Sequence, residues 1–212
     1  LNVKVVGTHS GVSVGEDGAT HQALEDIAIM RAIPGMLVVS PSDAIETKAA
    51  VKALMDYEGP AYLRVGRIPA DIINDTPDYK FELFKGYEMR EGNDAAILAT
   101  GLMVQEALKA HDILKAQGIN ARIIDIHTIK PLDEEIVLKA AKETGAIITV
   151  EEHNILGGLG GAVAELLSEK CPTRLLRIGM KDEFGKSGKP QDLFKKFGLN
   201  ADNISQQVKT FI

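Results

Sequence analysis

The chain has 212 residues, 45% apolar and 25% charged, with no Trp and a formal net charge of −6 from 24 basic and 30 acidic side chains. At ~150 residues per domain this is one large domain or two small ones; the composition excludes a wholly disordered chain, and no apolar run approaches the ~20 residues of a membrane helix. The acidic balance and the 5% aromatic content argue against nucleic-acid binding and require any anionic substrate to be held by a local basic cluster.

Val3 to Val6 reads as a buried strand. A Gly-rich loop runs from Gly7 to Gly18, and Thr20 is placed to cap a helix with Leu24, Ile27, Ala28 and Ile33 on one stripe, ended by Pro34-Gly35. Met36 to Val39 is the next strand. Ser40-Pro41-Ser42-Asp43 reads as the start of a helix reaching about Tyr57, broken by Glu58-Gly59-Pro60. Ala61 to Val65 is a third strand. The regularity then lapses to Lys85, with turn signals at Pro69, Asn74-Asp75 and Pro77-Asp78, which reads as an interdomain linker. The pattern restarts with strand 95–99, helix 103–117, strand 122–126, helix 133–143 and strand 146–150. Gly157 to Gly161 opens a helix reaching Glu169, 174–178 is a last strand, and two short helices close the chain. Strands alternating with helices predict an α/β fold with mostly parallel sheets covered on both faces. The expected division is 1–68, a linker 69–85, and 86–212. The two or three strands before the linker make a thin sheet, as though the front of that domain were absent.

The lone Cys171 allows neither an intrachain disulfide nor a multi-cysteine metal site, and fits a reducing, cytoplasmic compartment; the opening Leu1-Asn2-Val3-Lys4 is not a signal peptide.

The densest chemistry lies in His9 to Gln22, where two His, two acids and three Gly share the loop after the first strand. Ligands of open α/β sheets bind outside such carboxyl ends. Gly11, Gly15 and Gly18 allow tight turns, His9 and His21 can move protons near neutrality, and Asp17 can fix a hydroxyl. The same residues read equally well as a solvated loop. A metal site of His9, Asp17 and His21 is disfavoured, because the gap between the histidines matches no usual ligand spacing. Arg64 and Arg67 face opposite sides of an extended chain. Arg67, where the strand breaks, is the candidate anion-binding fork, and Arg64 reads as a solvated or sheet-covering side chain. Gly157 to Gly161 reads as close helix packing in preference to an anion site, Glu151-Glu152-His153 as a strand end suited to an inter-subunit contact or a site, His111 as surface, His127 as structural, and 186–189 as a solvated loop.

The run Gly15-Glu16-Asp17-Gly18-Ala19-Thr20-His21-Gln22 with Leu24-Glu25-Asp26 and Met30 to Gly35 closely resembles the transketolase family. The likeness continues through Pro41-Ser42-Asp43, Gly59 to Arg67, Glu151 to Asn154, Gly157 to Gly161 and Phe184 to Pro190, so it covers nearly the whole chain; the first run is the most specific. The resemblance is to the C-terminal portion of a transketolase, and closest in look to that subunit of a split enzyme. It implies the C-terminal part of a pyrimidine-binding domain (1–68), a linker (69–85) and a transketolase C-terminal domain (86–212). It further implies transfer of a two-carbon ketol unit between sugar phosphates through thiamine diphosphate with Mg2+.

In that family the active site lies between a diphosphate-binding and a pyrimidine-binding domain. The resemblance makes His21 the catalytic acid/base, Asp17 the reader of the hydroxyl beside the reacting carbonyl, His9 a binder of the acceptor or its phosphate, and Arg67 the sugar-phosphate grip. Some members carry Gln at the position of His21. The Glu that activates the cofactor and the aromatic that stacks on it belong to an earlier stretch and are not assignable here, and the Gly-Asp-Gly…Asn motif for magnesium and diphosphate is absent. The expectation is therefore a chain inactive alone, which needs a diphosphate-binding domain or subunit in a homo- or hetero-oligomer. Rival readings are a deoxyxylulose-phosphate synthase, a 2-oxo-acid dehydrogenase β-subunit-like enzyme, or a non-catalytic assembly module.

Overall fold

The computed structural model describes residues 1–212 and resolves the alternating pattern into an α/β fold with two mostly parallel sheets. In chain order the elements begin with β1 (Lys4–Gly7), α1 (Asp26–Ala32), β2 (Leu37–Val39), α2 (Ala44–Asp56) and β3 (Ala61–Arg64). After a stretch without helix or strand come β4 (Tyr87–Arg90), β5 (Ala95–Ala99), α3 (Met103–Lys115), β6 (Ala121–Asp125) and β7 (Thr128–Lys130). The chain ends with α4 (Glu134–Thr144), β8 (Ala146–Asn154), α5 (Leu159–Lys170), β9 (Arg174–Met180), α6 (Pro190–Phe197) and α7 (Ala201–Phe211). No helix is long and apolar enough to cross a membrane.

The larger sheet has the order β4-β6-β5-β8-β9, parallel except for β4. Its central strand is Ala95-Ala96-Ile97-Leu98-Ala99, wholly buried because helices cover both faces. Side chains alternate along a strand, so Ile97 joins Ile123 and Ile148 under α3, α6 and α7, with Leu114, Phe194, Ile204 and Val208. Leu98 points the other way, into a layer with Ile124, Ile147, Val137 and Val163 under α4 and α5.

The smaller sheet has the order β1-β3-β2-β7. Lys4 and Leu37 both sit opposite Ala61, and β7 pairs antiparallel with β2. A three-residue strand from the later part of the chain thus completes the first sheet. Strand β7 and the antiparallel β4 were not expected from the sequence; each is three or four residues long, too short to show periodicity. Helix α2 packs on Leu37, Val39 and Leu63, while Ile27 of α1 covers the other face with Val38 and Tyr62. Strand β1 is an edge on which Val5 and Val6 are exposed.

Several sequence expectations shift. Thr20 caps no helix: the backbone passes through turns and α1 begins only at Asp26. Helix α2 starts after Asp43, not Ser40. Asp43 Oδ1 accepts from Glu46 N at 2.8 Å, and its Oδ2 accepts from Ile73 N and Asn74 N at 2.9 Å each. One carboxylate therefore caps a helix and ties down the irregular stretch after β3. Asp43→Ala is expected to lower stability by about 2 kcal/mol, read as a fall in the urea midpoint at unchanged slope. His111 is buried, not at the surface, and its Nδ1 lies 2.7 Å from Ala121 O. Where α2 meets β6, Glu46 and Asp125 are both buried; burial and the neighbouring acids push Glu46 up and Asp125 well up, and Tyr79 Oη donates to Glu46 Oε1 at 2.5 Å.

Candidate active site

The loop after β1 is anchored at both ends by backbone contacts. Ser10 N and Ser10 Oγ both donate to Val65 O, at 3.3 and 3.1 Å, and Gly11 N donates to Ala23 O at 2.9 Å. Between these anchors Val12–Asp17 forms a 3-10 turn kinked at Gly15, whose φ of 84° suits glycine. Buried Gln22 laces the loop from inside: its Nε2 donates to Val12 O at 3.2 Å, Gly15 O at 3.4 Å and Lys186 O at 2.9 Å. The stretch 186–189 was expected to be a solvated loop. Lys186 is exposed, but its carbonyl and the Gly185 backbone pack against Gln22.

This scaffold presents four polar side chains to solvent. Asp17 and Arg67 meet: Arg67 Nη1 donates to Asp17 Oδ2 at 2.7 Å and to Val14 O at 2.6 Å. Both are partly exposed, at 45% and 38% of their side-chain surface. His9 and His21 are also exposed, each beside its own threonine: His9 Nδ1 is 3.0 Å from Thr8 Oγ1, and His21 Nδ1 is 3.0 Å from Thr20 Oγ1. No hydrogen bond joins either imidazole to the Asp17–Arg67 pair. The structure therefore brings Asp17 to Arg67 and places both histidines on the same loop, with their remaining ring nitrogens uncommitted. His9 has a φ of 63°, sparsely populated for a side chain of its size and the kind of strain that accumulates at working sites.

Behind the loop stands a buried electrostatic frame that the sequence reading missed. Arg64 is not solvated. Its Nε donates to Asp26 Oδ2 at 2.8 Å, and its Nη2 to Glu152 O at 2.9 Å and Ala23 O at 3.3 Å. Burial alone would push Asp26 up, but Arg64's charge and hydrogen bonds, with the Tyr62 hydroxyl at 2.7 Å, outweigh it and hold Asp26 below the usual carboxylate range.

Glu151, Glu152 and His153 do not end β8. They lie inside it, fully buried, because the strand runs on to Asn154. Glu151 accepts from Leu159 N at 2.7 Å and Gly160 N at 2.8 Å. The glycine run at the start of α5 is thus occupied by an internal carboxylate, and a Cβ on Gly158 would collide with it. Glu152 Oε1 accepts from Ser13 N at 2.5 Å. Burial pushes both glutamates up to about 7 against these hydrogen bonds, and pushes His153 down to about 4. A sequence signal did exist: charged residues continuing an apolar run in a strand covered on both faces must find partners inside.

A cavity of about 400 Å³ lies behind the loop, among Ser10, Ser40, Ser42, Arg64, Gly66 and Glu152. No group of three or more His, Cys, Asp or Glu side chains is placed to hold a metal ion, and the one glycine-rich helix start is filled by Glu151. The residues of this chain therefore do not fit the diphosphate-and-metal end of a thiamine cofactor.

The family model "Transketolase, pyrimidine binding domain" matches residues 1–70, and "Transketolase, C-terminal domain" matches 85–204. The chain is 49% identical, over 98% of its length, to the putative transketolase C-terminal section of Methanocaldococcus jannaschii, covering 66% of that protein. It is 47% identical over 96% of its length to a 6-deoxy-6-sulfo-D-fructose transketolase subunit of a Clostridium species, covering 63% of it. Among solved structures, an inactive β4 tetramer of a split-gene transketolase superposes with a TM-score of 0.92 at 44% identity, over all of this chain and 67% of that one. The chain thus spans about two thirds of the length of these three relatives. Two adjoining family models and relatives at nearly half identity agree, and the chain belongs to the transketolase family.

Proposed function

We propose that this chain supplies the substrate-facing wall of a transketolase. In this reading 1–68 is the C-terminal part of the pyrimidine-binding domain, 69–85 a linker and 86–212 the C-terminal domain. The assembled enzyme transfers a two-carbon ketol unit between sugar phosphates. Thiamine diphosphate and Mg2+ are held mainly by a diphosphate-binding domain or subunit outside the chain, in the cytoplasm.

The observation that carries the reading is the ion pair between Arg67, just after β3, and Asp17 of the internally laced loop, which also carries His9 and His21, each with one ring nitrogen free. An exposed ion pair contributes only ~0–1 kcal/mol, so little opposes its opening toward a ligand. Arg67 offers a planar fork to an anionic sugar end, Asp17 accepts from a sugar hydroxyl, and His9 and His21 each hold a free ring nitrogen for proton transfer or hydrogen bonding.

The test is reconstitution. Calorimetry is expected to show no thiamine diphosphate binding to the chain alone and binding once the diphosphate-binding partner is added. The complex should then move a ketol unit from xylulose phosphate to an aldose phosphate and should not condense pyruvate with an aldehyde. Pyruvate condensation would point to a synthase instead, and binding in neither sample would leave an assembly module.

A further inference from the structure

One buried side chain of the second half reaches the loop that carries His9, Asp17 and His21. Glu152 leaves β8 on the side opposite Glu151 and His153 and accepts from Ser13 N at 2.5 Å. Gly11 follows the Ser10 anchor with a φ of 82°, and a Cβ there would strike the Glu152 side chain, so chain and carboxyl approach as closely as only glycine permits. Behind Glu152, Arg64 Nη2 fixes its carbonyl at 2.9 Å. The Ser13 hydroxyl is buried beside this contact and faces the same carboxyl. The cavity lined by Ser10, Gly66 and Glu152 gives the carboxyl a second place to turn.

We propose that Glu152 is a positioning residue: as a carboxylate it grips the Ser13 N–H and seats the loop, and on protonation it releases that grip, so that the placement of Asp17 and His21 follows pH. The proposal rests on the reading of that loop as the substrate-facing wall. An ionised acceptor makes the shorter and stronger bond to a backbone N–H, and Ser13 N cannot accept the proton a neutral carboxyl must place elsewhere. Burial pushes Glu152 up to about 7, while the Ser13 N–H, Arg64 and the Ser13 hydroxyl pull it down and Asp26 adds to the rise.

The other charged groups around it are Lys48 and Asp43 of α2 across the cavity, and Glu151 and His153 on the far face of β8. Arg64 is committed to Asp26, and Glu151 to two amides of α5. Burial and Arg64 push His153 down to about 4, so it is neutral over the relevant interval. The sign follows: with its folded value raised, Glu152 contributes stability fully below its unfolded value of about 4.3 and loses it as pH rises through about 7. The Ser13 contact strengthens over that same interval.

Amide spectra of the 212-residue chain between pH 5.5 and 8.5 test this. The Ser13 amide proton is expected to move downfield as pH rises, with the midpoint of the Glu152 carboxyl carbon. Glu152→Gln should abolish the movement and His21→Gln should leave it. In the assembled enzyme Glu152→Gln should lower kcat/KM about tenfold at pH 8 and leave it near wild type at pH 5.5. A flat Ser13 titration in the wild type, or one that survives Glu152→Gln, overturns the proposal. Should Glu152→Gln fail to fold, the wild-type midpoints decide, and unequal values for Ser13 and Glu152 overturn it. A coupled Ser13 titration in a complex that transfers no ketol unit supports the coupling and removes the functional reading instead.

Discussion

Arg64→Ala is expected to destabilise the chain by ~3–5 kcal/mol, because it strands the buried Asp26 carboxylate. Arg64 and Asp26 are 5% and 12% exposed and meet at 2.8 Å. Its Nη2 also donates to Ala23 O and Glu152 O, one at the base of the site loop and one on β8. Its loss therefore also loosens the joint between the two sheets. Arg64→Lys should recover little, since a point charge cannot reproduce a fork with three acceptors in different directions. The pair itself need not be net stabilising. Arg64→Met combined with Asp26→Leu should recover part of the loss, leaving the Tyr62 hydroxyl and the Glu152 carbonyl in want of a partner. The pH dependence gives a second reading. Asp26 is held below its ordinary value, so its contribution is present above about pH 4 and is lost as pH falls through the depressed folded value. Wild-type stability should fall in that acid range and the Arg64→Ala curve should be flatter. Urea midpoints that agree within ~0.5 kcal/mol at pH 7 would show that the frame is not what holds the loop.

Periodicity exposed the long elements and hid the short ones. The buried run Ala95–Ala99 and the helices α3 and α4 announce themselves through apolar spacing and through Asp133, which caps α4 by accepting from Ile136 N at 3.3 Å. Strand β7 offers three residues and draws its place from a partner strand some ninety positions away, a relation no local pattern carries. The start of α1 was misplaced because Thr20 resembles a cap, while Gln22, two residues on, is pulled inward to satisfy two carbonyls of the loop and that of Lys186. The candidate side chains were named through resemblance, and of these Asp17 and Arg67 meet. The frame behind them was not, because Arg64 sits in a short strand whose neighbours give no sign that its charge is buried. Partners fifty or more positions apart in sequence, such as Ser13 and Glu152, become visible only when two sheets come together.

Measured in the assembled enzyme, His21→Ala is expected to cut ketol-transfer turnover by ~10²–10⁴, the range of a placed proton-transfer group, and Asp17→Ala by ~10- to 100-fold, the range of a lost charge-assisted hydrogen bond. Both side chains are exposed and neither anchors the loop, whose internal ties run through Gln22, Glu152 and Gly11. Stability should then hold within ~0.5 kcal/mol, which separates these variants from Arg64→Ala. Asp17→Ala frees Arg67 from its 2.7 Å partner, so affinity for the sugar's anionic end should rise or stay constant while the step that reads the hydroxyl collapses, a loss in kcat with KM flat or falling. Arg67→Ala should show the reverse, KM up by ~10- to 100-fold for loss of a charge-assisted anion contact, with kcat nearly kept. His21→Gln retains a hydrogen-bonding side chain without a titrating proton, and should recover part of the His21→Ala loss where binding a hydroxyl matters and none where the proton matters. Turnover unchanged in both His21→Ala and Asp17→Ala would mean that this loop faces no substrate, and the placement of the site on the carboxyl end of β1 would have to be abandoned.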